Sequence, residues 1–164
     1  MFHKVKTPMS KAPHPLIDKL ELQPHPEGGY YRQIHRSEQE VNSPVHSLSR
    51  PAITHIYFLL LAGQVSRFHR VLHDEVWSHY AGAPLRLYHI HQQQLREQRL
   101  GGESHDFAAV VPAGDFQAAE STGEYSFVGC SVAPGFDFAD FSFIDEPSLK
   151  QWIEVAHPDM TKFI

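Results

Sequence analysis

The chain reads as an all-β barrel or sandwich, and three observations predict it. From residue 53 onward, short runs rich in β-branched and aromatic residues follow one another almost without a break. Turn signals at Gly63, His73-Asp74, Gly82-Ala83-Pro84 and Gly101-Gly102 separate them. Neither an internal repeat nor a linker-like composition divides the 164 residues, so one domain around a single core is expected.

The elements follow in order. Residues 1–15 carry three prolines and few apolar side chains, which predicts a loose tail over 1–14 ahead of a single domain over 15–164. Leu16, Ile17 and Leu20 recur at helical spacing behind Pro15, a residue suited to the first helical turn. A short helix over 15–22 is therefore expected. Residues 24–29 form a turn, because the residue before each proline avoids the helical region and Gly28-Gly29 permits positive φ. Residues 30–36 read as a strand and the polar stretch 37–49 as an exposed loop. Strands follow at 53–61, 66–72, 75–80 and 85–91. Residues 92–99 lack strand character and are expected to form a long hairpin tip. Strands at 107–111, 116–120, 125–132 and 138–144 bring the total to nine or ten. A closing helix over 147–155 begins near Asp145 or Glu146.

Composition narrows the functional classes. The net charge is −5 with no basic block, which argues against nucleic acid as the main partner. The longest apolar stretch, residues 56–62, is far too short to span a bilayer. A single cysteine, Cys130, permits no internal disulfide and fits a reducing compartment. The first 15 residues hold Lys4, Lys6 and Lys11 but no apolar run, so no signal peptide is expected and a cytoplasmic location is. The 13 histidines scatter from His3 to His157, with His3, His14 and His157 in the expected tails. Their number alone supports nothing.

The chemistry concentrates in two stretches. In the first, Gly63 is followed by His69, Glu75 and Gly82; in the second, Pro112 and Gly114 precede Gln117. Alternate residues of a strand share a face. An inward His69 therefore brings Val71 with it, an inward Glu75 brings Trp77 and His79, and Gln117 brings Asp115 and Ala119. Such a pocket sets a few polar groups on an aromatic and aliphatic wall, as small-molecule sites do. His69 and Glu75 can serve as an acid–base pair, as metal ligands or as a structural hydrogen bond. A glutamate inside a barrel demands a partner in every case. The Gln117 amide oxygen is a neutral, weak donor better suited to hard cations than to zinc. Trp77 and Tyr80 either stack on a flat ligand or are plain core. Cys130, mid-strand between Val128 and Val132, reads as an inert buried thiol. His89 and His91 read as a solvent-facing pair.

Six segments in order carry a resemblance. They are His25-Pro26-Glu27-Gly28-Gly29-Tyr30, Arg32, Phe68-His69-Arg70, Asp74-Glu75-Val76-Trp77, Val111-Pro112-Ala113-Gly114, and the stretch from Val128 to Phe136. With these segments the chain, over residues 16–145, resembles the cupin type 5 subfamily. The resemblance implies a double-stranded β-helix (jelly-roll) barrel with short flanking helices, usually dimeric. It implies no settled reaction, since the subfamily is named for its fold. Two departures stand out: Val71 sits where the cupin pattern has a second His, and Gln117 replaces another. Half of the usual metal-ligand set is missing. Glu27 and Arg32 lie in the subfamily's Pro-Glu-Gly-Gly segment. That segment is either a turn with a surface ion pair or a strap over the barrel mouth offering a carboxylate and a guanidinium to a ligand. Ser78 and His79 stand where the subfamily more often shows an aromatic and a His.

Three functions follow as expectations, and whether the protein is an enzyme stays open among them. The first is a small-molecule-binding cupin with His69, Glu75 and Gln117 around a weakly held divalent metal, and Glu27, Arg32, Trp77 and His79 contacting the ligand. The second is a metal-free isomerase or epimerase of sugar-nucleotide type, with His69 as base and Tyr80 or Tyr125 as acid. The third is a binding or sensor module without catalysis. A homodimer is expected, with the apolar strand 53–61 and Phe68 as the surfaces a second copy would cover.

Overall fold

The structure, a computed structural model, describes residues 12–164. The expected tail over 1–14 lies outside the described residues as far as residue 11. The chain runs α1 (Pro15–Lys19), β1 (Gln23–Pro24), β2 (Tyr30–Arg36), β3 (Glu40–Asn42), β4 (Ser49–Pro51), β5 (Thr54–Leu61), β6 (Val65–Val71) and β7 (Asp74–Gly82). It continues through β8 (Leu85–His91), β9 (Gln94–Leu100), β10 (Ala108–Val111), β11 (Phe116–Ser121), β12 (Tyr125–Ala133), β13 (Phe141–Phe143) and α2 (Pro147–Ala156). Two antiparallel sheets, ordered β1-β2-β5-β12-β7-β10 and β13-β6-β11-β8-β9, face each other, with β3-β4 as a separate ribbon. This is the all-β barrel with short flanking helices that the turn spacing predicts. No helix of the described residues is long and apolar enough to cross a membrane.

Strand alternation sorts the side chains into three cores. Phe58, Leu60, Trp77, Leu85, Leu87 and Val128 point inward and fill the barrel. On the outer face of the second sheet, Phe68, Tyr88 and Ile90 pack under Ile153 of α2 and under Met160 and Phe163 beyond it. Phe163 is fully buried, and covering a side chain of that size contributes about 1.5–3 kcal/mol. Ile17 and Leu22 pack on Leu59 from the outer face of the first sheet.

Four expectations change. Residues 92–99 are a strand and not a hairpin tip: β9 pairs with β8 from Leu85↔Leu100 to His91↔Gln94. The two-residue turn is Gln92-Gln93, both at positive φ (47° and 58°), a hairpin geometry that normally announces itself with Asn or Gly. As an edge strand β9 is largely charged and polar, which hides it from a propensity reading. The expected loop 37–49 contains β3, and its return strand β4 buries Arg50. The expected strand over 138–144 begins instead with a 3-10 turn, Phe138–Asp140, capped by Asp137 accepting from the Ala139 amide at 2.8 Å. Phe68 does point opposite to His69, but Phe163 covers it at a ring distance of 5.8 Å, so it offers nothing to a second copy. The outer face of β5 is likewise occupied, by Ile17 and Leu22 at Leu59 and by Tyr80 and Phe127 at Tyr57.

Candidate functional site

A cavity of about 300 Å³ opens between the sheets at one end of the barrel. Its wall follows the period of two: Tyr31 and Gln33 from β2, Thr54 and Ile56 from β5, Cys130 and Val132 from β12. His69 and Val71 of β6 and Glu75 of β7 complete the strand-borne part. His25 and Glu27 reach in from the segment before β2, and Phe136 and Phe138 from the segment after β12.

Glu27 owes its place to the glycine that follows. Gly28 has φ +114°, and a Cβ there would lie 2.0 Å from the Val65 carbonyl oxygen. Only glycine lets this segment lie flat on β6. The Arg67 amide then donates to the Glu27 carbonyl at 2.8 Å, and the Glu27 carboxylate meets His69. His69 Nε2 is 3.0 Å from Glu27 Oε2, and Ser66 Oγ donates to Glu27 Oε1 at 2.8 Å. The other ring nitrogen, Nδ1, lies 2.7 Å from the Arg67 carbonyl oxygen, an acceptor, so it carries a proton. Burial opposes both charges, yet each holds the other. His69 is raised above its ordinary range against the desolvation of its site, chiefly by the charge of Glu27. Glu27 is lowered, again against desolvation, chiefly by His69. The two form an imidazolium–carboxylate pair. His25 Nδ1 stands 3.5 Å from the same carboxylate, but burial lowers its pKa and keeps it neutral.

Glu75 is the opposite case. Desolvation pushes its pKa up to about 7; the charge of Glu27 adds to the rise, while His69 and hydrogen bonds from Gln117 and Cys130 oppose it. Gln117 Nε2 donates to Glu75 Oε2 at 2.5 Å, and Trp77 Nε1 donates to Gln117 Oε1 at 2.7 Å. An indole nitrogen can only donate, so Trp77 orients the Gln117 amide with its NH₂ toward Glu75. Cys130, fully buried beside Glu75, has its thiol pushed well above the ordinary range by desolvation and then by the carboxyl.

These bonds decide whether the residues suit a metal of the usual cupin kind, and they do not. Val71 offers no donor, the Gln117 oxygen is taken by Trp77, and both His69 nitrogens are engaged. Gln117 is a positioning group for Glu75, fully buried behind the cavity wall.

The remaining candidates lie elsewhere. Arg32, between the cavity-lining Tyr31 and Gln33, points outward to the Leu20 carbonyl (3.2 Å) and Glu21 (3.1 Å). Trp77 is core, edge-on to Phe58 at 5.8 Å. His79 bonds through Nε2 with the Ala83 carbonyl at 2.9 Å and packs on Gly101. Tyr80 lies on the outer face of the first sheet, 2.8 Å from His55, and Tyr125 packs against His14 beside α1. Neither tyrosine reaches the cavity, so neither supplies the acid expected for the epimerase reading. His89 and His91 do not form a solvent-facing pair: His89 is buried, and both donate to Asp115, at 3.1 and 2.6 Å.

Sequence reasoning missed two features. His25 and Phe136 lie within the six segments, Tyr31 adjoins one and Phe138 is two residues beyond the last, but only the closed barrel shows that they line the cavity. The second is a polar cluster in which one donor atom from each of His46, His73 and Asp140 lies within 4.8 Å of the others. This group could hold a metal ion. Asp140, however, already receives both Arg50 Nε and an Arg50 terminal nitrogen at 2.8 Å, and His46 Nε2 at 2.9 Å. His73 bonds with Ser43 at 2.7 Å. No sequence signal joins positions 43, 46, 50, 73 and 140, because long-range folding alone brings them together.

Comparison with known proteins agrees with this architecture. A family model described as Cupin superfamily (DUF985) matches residues 14–144. An uncharacterized protein of Saccharomyces cerevisiae is 29% identical over 173 residues, covering 91% of this chain and 85% of the yeast protein. A hypothetical protein from Leishmania major superposes with a TM-score of 0.78 at 30% identity, over 91% of this chain and 94% of its own. A protein from Shewanella oneidensis does so with a TM-score of 0.75 at 34% identity, over 90% of each chain. With its barrel, its six ordered segments and a family match spanning nearly all of the barrel, the chain belongs to the Cupin superfamily (DUF985) family.

Proposed function

We propose that the protein is a small-molecule-binding cupin whose cavity transfers a proton on its ligand, with Glu75 as the group that takes and returns it. One observation carries this reading: a buried carboxyl, pushed up to about 7 by desolvation, borders the cavity with no cationic side chain among the described residues within ion-pair distance. A general acid–base group works best when its pKa lies near the working pH. The Glu27–His69 pair beside it holds a fixed positive imidazolium that favours negative charge developing on a carbonyl ligand. The chemistry fits isomerisation through proton removal next to a carbonyl: Glu75 takes the proton, exchanges it with water, and returns a proton to carbon. No residue lining the cavity is Lys or Arg among the described residues, and the volume is about 300 Å³. Both speak against a sugar nucleotide, whose diphosphate needs cationic partners.

The test is hydrogen exchange in deuterated water across a panel of small carbonyl compounds, with and without an amino group, read by proton NMR. We expect exchange with at least one class and a loss of at least 100-fold in Glu75→Gln. Ligand binding without exchange would move the protein to the non-catalytic binding reading. The buried, unpaired thiol of Cys130 supports a cytoplasmic setting as part of this proposal. A homodimer also remains a proposal: Val110, Phe107 and Tyr80 stay exposed along β7 and β10, where a second copy would cover them.

A further inference from the structure

Among the described residues, no cationic side chain lies within ion-pair distance of Glu75, and the nearest charge acting on it, His69, is already paired. Glu27 is matched by His69 at 3.0 Å, so that pair is neutral as a unit. Glu75 accepts from an amide and a thiol, both neutral. His25 is held neutral by burial. Three aromatic side chains, Tyr31, Phe136 and Phe138, share the wall, and Phe138 is half-exposed at the rim.

We propose that the natural ligand is a small organic cation, an ammonium group on a compact apolar body, seated against these rings and paired with Glu75. An anion would meet two carboxyl groups, an imidazolium already paired with one of them, and no Lys or Arg side chain among the described residues. A neutral ligand leaves Glu75 to shed its buried charge by holding a proton, whereas a cation gives the carboxylate a partner. A cation pairs with the Glu75 carboxylate, and aromatic faces attract it more strongly once water is excluded. The inference takes from the reading above only that the cavity is the ligand site; the sign of the ligand's charge is independent of proton transfer.

The experiment is calorimetric titration of the whole protein with choline and with 3,3-dimethylbutan-1-ol, which has the same shape without the charge. Choline is expected to bind at least ten-fold tighter. Glu75→Gln should bring that ratio to about one, with thermal melts confirming a folded protein. Phe138→Leu, at the exposed rim, should weaken choline more than the alcohol. Equal or tighter binding of the alcohol, choline binding indifferent to Glu75→Gln, or binding of neither compound each overturns the cation assignment. The proton-transfer reading fails separately: tight choline binding without hydrogen exchange leaves the cation and removes the catalysis, and exchange on neutral compounds with no choline preference does the reverse.

Discussion

Two buried carboxyl groups in this molecule have opposite surroundings. Asp140, between the β3–β4 ribbon and the end of the barrel, receives a two-pronged Arg50 and His46. Hydrogen bonds from Arg50 hold its pKa below the ordinary range although burial works the other way. Glu75, lining the cavity, receives only neutral donors, and desolvation raises it to about 7. Both are equally inaccessible by exposure, 4% and 7%. Surface exposure therefore does not separate them; the stronger desolvation of Glu75 and the charged partners of Asp140 do. A carboxylate with its counter-ion built in is a fastener. One that accepts only from neutral donors is pushed by desolvation toward its protonated form.

The contrast predicts opposite pH behaviour. Glu75 titrates near 4.5 unfolded and about 7 folded, so between those values the native state binds the extra proton. Its contribution to stability is complete below 4.5 and is lost as pH rises through about 7. The shift corresponds to about 3 kcal/mol at one pKa unit per 1.36 kcal/mol. Glu75→Gln should therefore melt higher than the parent at pH 8 and match it near pH 4.5. A mutant that melts lower at pH 8 would show that the ionised carboxylate is structurally needed, and would erase the comparison.

Asp140 carries the reverse sign. Its folded pKa lies below the ordinary 3.8, so its contribution is present above that value and is lost as pH falls through the folded pKa. Asp140→Asn should cost about 1–2 kcal/mol near neutral pH, as charged hydrogen bonds become neutral ones, and should flatten the acid limb of the melting profile. Ligand binding in the cavity should change little. A steeper acid limb in the mutant would contradict the pairing with Arg50.

A smaller effect sharpens the comparison from the cavity side. Val71→His combined with Gln117→His should tighten nickel binding at least ten-fold in calorimetry, because imidazole replaces an inert isopropyl group and an amide already spent on Trp77. The double variant without any gain would mean that positions 71 and 117 do not face a common point with His69.

Much of the barrel was legible because its signals are local. The strands at 30–36 and 85–91 read correctly to the residue, since alternation and turn residues act within a few positions of one another. β9 was not legible: its turn uses Gln92-Gln93 and its edge position tolerates charge. The site divided in the same way. The pairing of an inward His69 with Val71, and of Glu75 with Trp77, follows from strand period alone. That Glu27 belongs to His69, and that Trp77 turns Gln117 toward Glu75, does not.

By itself the sequence determined the family, the barrel, and the loss of two imidazoles at positions 71 and 117, for these depend on residue type and short spacing. Only the tertiary structure decided which carboxyl group is paired and which is not. Those partners come from positions 42 residues apart for Glu75 and Gln117, and 90 apart for Asp140 and Arg50. Electrostatic character depends on distances across space, and no local pattern in the chain encodes the distance between strands that meet only when the barrel closes.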